Sequence, residues 1–139
     1  MSAANALLVA IHARLAADPQ LVAMIGTDGI RDRLLPRPVL PAFVVGEMET
    51  RDYSTATEAG EEHRLVLEVW SDAAGRREAE ELAERVRGLL QDAALTLAGH
   101  LLVSLAHERT RTRRQANAKL FLAELRFRAV TEPLEPVSP

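Results

Sequence analysis

The sequence predicts an α+β domain: an antiparallel β-sheet with two main helices packed on one face and a long C-terminal β-hairpin. Three patterns carry that expectation. Between Arg76 and Asp92 the apolar residues Ala79, Leu82, Ala83, Val86, Leu89 and Leu90 recur at steps of three and four. Charged residues fill the gaps between them, so the segment reads as an amphipathic helix with one buried stripe. Leu7, Leu8, Ile11 and Leu15 make a second helical stripe near the N-terminus. In the last third, Leu101, Val103 and Leu105, and then Phe121, Ala123, Leu125, Phe127 and Ala129, alternate with the period of two that a half-buried strand requires.

Taken in order, Asn5 to Ala17 forms the leading helix. Asp18 is a cap and Pro19 occupies a first helical position, so a short second helical segment runs to about Ile25. Gly26-Thr27-Asp28-Gly29 is a turn. Ile30 to Leu35 reads as a short strand, after which Pro36, Pro38 and Pro41 forbid regular pairing. Ala42 to Glu49 begins with strand formers, whereas Arg51 to Glu61 is polar, holds Tyr53 and reads as an exposed loop. Leu65, Leu67 and Val69 share one face of a strand that closes on Trp70. Trp70 is expected in the core, with an interface anchor as the alternative. Ser71 or Asp72 can cap the helix that follows, and that helix gathers its acids in the half its macrodipole favours. One domain spans 1–131, and 132–139 is a flexible tail.

The hairpin carries the functional expectation. A register that opposes Val103 to Ala129 and Leu105 to Phe127 turns both apolar sets toward one core. It leaves Gln115, Ala116 and Asn117 as the loop. His107, Arg109, Arg111 and Arg113 then continue the parity of the core residues. Burying unpaired guanidinium groups is heavily penalised, so the hairpin is expected to extend past the covered sheet as an arm. Arg113 then faces Lys119, and Leu120 and Leu122 lie exposed on the other side of the arm. The candidate subunit or partner interface is Arg109, Arg111, Arg113, Arg114, Leu120 and Leu122, with Tyr53 in the loop. Glu80, Glu81 and Glu84 offer carboxylates on which the arginines could fork. Two plainer readings stand beside this one: a solvated, frayed hairpin end, and nucleic-acid contact through RTRTRR, which lacks interleaved aromatic residues.

Composition narrows the class. With 47% hydrophobic and 27% charged residues over 139 positions, the chain has the make-up of a globular domain able to bury a core. No apolar run approaches the ~20 residues of a membrane span, and the N-terminal stretch, broken by His12 and Arg14, reads as a helix rather than a secretory signal. A net charge of −3 argues against sequence-independent nucleic-acid binding. Lys119 is the only lysine among seventeen basic residues, a bias that a GC-rich genome explains as readily as bidentate pairing does. The chain has no cysteine, which removes disulfides, thiol nucleophiles and cysteine metal sites. His12, His63, His100 and His107 are scattered, and no HExxH, P-loop, GxGxxG or GxSxG motif is present. Neither a catalytic residue nor a cofactor is expected.

One longer pattern is more specific. A strand closing on Trp70 and Ser71 is followed by Gly75, Arg76 and Glu78 opening a helix backed by Ala79, Leu82 and Val86. With LTLAGHLLV (Leu97, Gly99, His100, Leu102, Val103) and LRFRAVTE (Leu125 to Glu132), this resembles the small tail-terminator or tail-completion proteins of tailed-phage, prophage and gene-transfer-agent clusters. The leading helix and the GTDGIRDRL turn also fit, and only residues 133–139 fall outside the resemblance. It implies a non-enzymatic α+β subunit that forms a ring, hexameric in related tails. The ring caps the finished tail tube and docks to the head connector. The implied partners are further copies of the chain, a tail tube protein and a head–tail connector protein, with no membrane and no specific nucleic acid. The implied location is the host cytoplasm during assembly and then the head-proximal end of the tail. The alternatives are a head–tail adaptor of the same particle, or a small enzyme or ligand-binding domain, which would need convergent polar groups in a pocket.

Overall fold

A computed structural model describes residues 1–26, 29–31, 39–115 and 119–134. Its elements follow in the order α1 (Ala3–Ala16), α2 (Pro19–Ile25), β1 (Ile30–Arg31), β2 (Ala42–Asp52), β3 (Glu61–Ser71), α3 (Arg77–Leu90), β4 (His100–Gln115) and β5 (Leu120–Pro133). Thr27, Asp28, the predicted strand beyond Arg31, Pro36, Pro38, the loop residues Ala116 and Asn117, and residues 135–139 of the tail lie outside the described residues. No single helix among the described residues is long and apolar enough to cross a membrane.

The first two helices start where the sequence supplies a cap. Ser2 Oγ accepts from the Asn5 amide at 3.1 Å, and Asp18 Oδ2 accepts from the Leu21 amide at 2.9 Å, just before Pro19. Asp18 also takes a two-pronged contact from Arg85 of α3, at 2.9 and 2.5 Å, which ties the α1–α2 corner to the third helix. That hydrogen bond from Arg85 holds the Asp18 carboxyl below its ordinary range. The third helix departs from the expected cap. Arg76 precedes it without a side-chain cap, and Ser71 Oγ instead donates to Glu78 Oε1 at 2.7 Å.

The sheet corrects the predicted architecture in three respects. Three helices are present among the described residues, because the short α2 is a complete helix that contributes buried Leu21 and Ile25. Among the described residues the sheet is mixed and five-stranded, in the order β1-β2-β3-β5-β4, because β1 runs parallel to β2. Gly29 permits that pairing: its carbonyl accepts from the Phe43 amide at 2.7 Å, and a Cβ there would lie 2.2 Å from the Ile25 carbonyl oxygen. Finally, β4 and β5 do not make a simple projecting hairpin. β5 is an inner strand, paired with β3 from Thr131 to Phe121 on one side and with β4 on the other. It runs to Pro133.

The register of β4 on β5 also differs from the prediction. Two bulges interrupt it, one between Leu102 and Ser104 and one between His107 and Arg109. Each adds a residue to β4 that has no partner, and each therefore exchanges the faces of everything beyond it. The first bulge puts Leu102 and Leu105 toward the core and leaves Leu101 and Val103 about half exposed, at 50% and 51%. The second leaves Arg113 opposite Leu122, not Lys119.

Antiparallel partners share a face, and the core is the odd-numbered face of β3 and β5. Leu65, Leu67, Val69, Ala123, Leu125 and Phe127 pack with Leu7, Ile11 and Leu15 of α1 and with Leu82, Val86 and Leu90 of α3. His63 lies on this side as well, fully buried, with Nδ1 2.8 Å from Thr50 Oγ1 and Nε2 2.8 Å from Thr131 Oγ1. Trp70, with an even number, points away from the helices and is half-buried, so it does not join the core.

Two predictions follow from this packing. Leu82, 1% exposed in the α3 stripe, should cost about 2–5 kcal/mol when truncated to alanine, measured by chemical denaturation. Burial lowers the affinity of His63 for a proton, and burial and Arg87 do the same at His107. An unfolded histidine takes up its proton near pH ~6.5 while these two resist, so the unfolded chain binds more protons below that value. Stability should therefore be complete above pH ~6.5 and decline as the pH falls toward 5. His63→Gln should flatten, without abolishing, that decline in a pH series of thermal melts. An unchanged slope would contradict the assignment.

Candidate assembly surface

The helix-free face of the sheet is where the charged residues collect. Even-numbered residues of β3 and β5 line it: Glu62, Arg64, Val66, Glu68 and Trp70, and Leu122, Glu124, Arg126, Arg128 and Val130. The second bulge in β4 adds Arg109, Arg111 and Arg113, which pair across from Arg126, Glu124 and Leu122. The expectation that these arginines continue the core parity is thereby corrected. The extra residue, Glu108, turns the strand so that Leu105 and His107 stay with the core while the arginines reach the open side. His107 packs edge-on against Phe127, with ring centroids 5.4 Å apart.

At the base of this face Glu62 is 2% exposed, yet it lies under no helix. Arginines enclose it: Arg128 Nε at 2.6 Å, Arg51 Nε at 2.7 Å and Arg64 Nε at 3.4 Å. The hydrogen bond from Arg128 keeps the Glu62 carboxyl below the usual carboxylate range. Arg128 in turn sits 5.3 Å from the centre of the Tyr53 ring. Higher on the face, Trp70 Nε1 donates to Glu68 at 3.1 Å, Arg64 reaches Glu108 at 3.5 Å, and Arg113 pairs with Glu124 at 3.2 Å.

The predicted interface residues therefore separate into groups. Arg109, Arg111, Arg113 and Arg114 are exposed on β4, an edge strand, and Arg109, Arg111 and Arg114 form no ion pair among the described residues. Leu120 is partly covered, but Leu122 is 1% exposed and buried within its own subunit, so the expected pair of uncovered leucines is not present. Tyr53 is half exposed over Arg128. Glu80, Glu81 and Glu84 are exposed on α3, with Glu81 taken by Arg77 at 3.0 Å and Glu84 by Arg87 at 3.2 Å. They lie on the helix side of the sheet, across from the arginine row, and the subunit does not bring the two together.

Sequence reasoning missed two features. One is the enclosed Glu62, whose signal in the sequence was an arginine on each strand that flanks it, Arg51 on β2 and Arg128 on β5. The other is the acidic stretch of β2, where exposed Glu47 and Glu49 line a groove of about 480 Å³ that runs inward over the helix-free face past Arg64, Arg126 and Glu108. An apolar cavity of about 460 Å³ opens between α1 and β2, lined by Leu8, Val9, Ile11, Phe43 and Val45. Among the described residues no group of three or more histidine, aspartate or glutamate side chains is placed to hold a metal ion.

The helix-free face is thus a sheet face of ordered ion pairs ending in an edge strand on which Arg109, Arg111 and Arg114 form no ion pair among the described residues. The family described as Tail completion protein gp17 matches residues 9–132. A chain of the solved structure "Virion of native gene transfer agent (GTA) particle" is 34% identical, with 94% of this chain and 98% of that chain covered and a TM-score of 0.86. No curated protein matches. The match runs from within α1 to the last residues of β5 and takes in every strand of the sheet. The chain belongs to the tail completion protein family, and it is a structural tail protein rather than an enzyme.

Proposed function

We propose that this chain is a ring-forming subunit of a phage-like tail. Copies close into a ring, six in number by analogy with related tails, on the finished end of the tail tube, and the opposite side of the ring meets the head–tail connector. Assembly takes place in the host cytoplasm, and the ring then resides at the head-proximal end of the particle.

The observation that supports this reading most is the state of β4. It is a sixteen-residue edge strand whose second half carries four exposed arginines, of which Arg109, Arg111 and Arg114 form no ion pair among the described residues. A long unpaired edge is an open template for another strand, and desolvated guanidinium groups are typical of protein interfaces. Likeness to a chain of a gene transfer agent virion supports the same setting.

Light scattering and negative-stain imaging of the purified chain at high concentration should reveal closed rings. The double substitution Arg109→Glu, Arg111→Glu should abolish rings and tail joining. Its melting temperature should stay close to that of the parent, since exposed side chains away from packed features usually change stability by less than about 0.5 kcal/mol. A strictly monomeric parent chain that also fails to join tubes would contradict the ring. A large loss of stability in the variant would show that the arginines serve the fold instead.

A further inference from the structure

The two edges of the sheet carry opposite charge, and we infer that they are complementary halves of one interface. In this arrangement the arginine-bearing end of β4 in one copy adds, antiparallel, to the glutamate-bearing outer edge of β2 in the next. The inference rests on the ring reading and specifies which surfaces join.

β4 closes one side of the sheet. From Arg109 to Arg114 it presents four exposed arginines, of which Arg113 is bound to Glu124. The nearest acid on the strand, Glu108, is engaged by Arg64. On the other side, β1 covers only Phe43 and Val44 of β2. Among the described residues, Val45–Asp52 therefore has no strand partner on its outer side. That stretch exposes Glu47 and Glu49, while its one cation, Arg51, is drawn in to Glu62 at 2.7 Å. One edge is positive and the other negative.

The signs decide the kind of pairing. Charge that only guards an edge against aggregation needs no difference in sign between the two edges, because any charge discourages an apolar strand. Opposite signs repel β4 from β4 and β2 from β2 but attract β4 to β2. This favours a head-to-tail contact over a two-fold one, and head-to-tail contacts are those that generate rings when the rotation closes. The faces agree as well. Glu49 pairs with Arg64, and Arg109 and Arg111 pair with Arg126 and Glu124, so all of these residues belong to the helix-free face. A continuous sheet would place them side by side, where opposite charges on adjacent strands attract.

The strand levels are also compatible. Through the ladder, Glu49 lies level with Ala106, several residues short of Arg109 and Arg111. An offset of about four residues is ~14 Å, and four strands span ~19 Å. Together these imply a strand tilt of roughly 35°, within the range that closed sheets adopt. β2 and β4 run in opposite directions, so the junction is antiparallel.

A two-variant mixing experiment tests this pairing. One variant carries Arg109→Glu and Arg111→Glu, and the other carries Glu47→Arg and Glu49→Arg. Each should fold with the parent's melting temperature and remain a monomer in analytical ultracentrifugation, because both of its edges now share one sign. Mixed at equal concentration, they should recover the ring mass of the parent in alternating order. Rings from either variant alone would overturn the inference, and so would two folded variants that fail to recover rings on mixing. A parent chain that never forms a ring would instead overturn the ring reading beneath it.

Discussion

The position of one inserted residue, Glu108, governs which face of the sheet each half of β4 presents. Without an inserted residue, strand alternation would carry Arg109, Arg111 and Arg113 onto the side occupied by Leu105 and His107, beneath the helices. The bulge turns the strand by one face within a single residue. Leu105 remains in the core, His107 stays on that side against Phe127, and the guanidinium groups emerge on the helix-free face. The bulged residue is itself held, through Arg64. An apolar half and a cationic half thus coexist on one continuous strand.

Below this point the helix-free face behaves as a second, polar layer. A sheet with helices on one side must hydrate or pair the side chains of the other. Here much of that work is done by ion pairs concentrated on Glu62, whose carboxylate accepts from three arginines and is almost entirely covered. A carboxylate so enclosed depends on its partners, because removing a guanidinium would leave charge without compensation. The cluster fixes the Arg51 end of β2, and with it the edge that bears Glu47 and Glu49.

Much of this was legible in the residues. The stripe of α3 follows from its spacing, and Ala79, Leu82, Ala83, Val86, Leu89 and Leu90 are all buried. Asp18 and Pro19 marked the start of α2. The sheet was harder, because alternation reports which residues share a face only while the ladder is regular. Leu101, Val103 and Leu105 share parity, yet the bulge at Val103 separates the first two from the core. Nor does periodicity reveal strand order. β1 is two residues long, too short for a pattern, and its parallel pairing makes the sheet mixed. Leu122 illustrates the same limit: its neighbours in the ladder are Trp70 and Arg113, and it is buried on the face assumed to be open. The arginine row was identified from sequence, whereas the acidic stretch of β2, with Glu47 and Glu49, became visible only when the strand order was known.

We propose that the two open edges of the sheet, β4 and residues 45–52 of β2, are completed by neighbouring copies. Amide hydrogen exchange reports on it directly, since edge strands leave alternate N–H groups pointing at solvent. On passing from the isolated subunit to the assembled ring, the outward amides of residues 109–115 and of residues 45–52 should become protected together. Protection that appears instead on the outer surface of α3 or in the loop at 53–60, with both edges unchanged, would contradict the account.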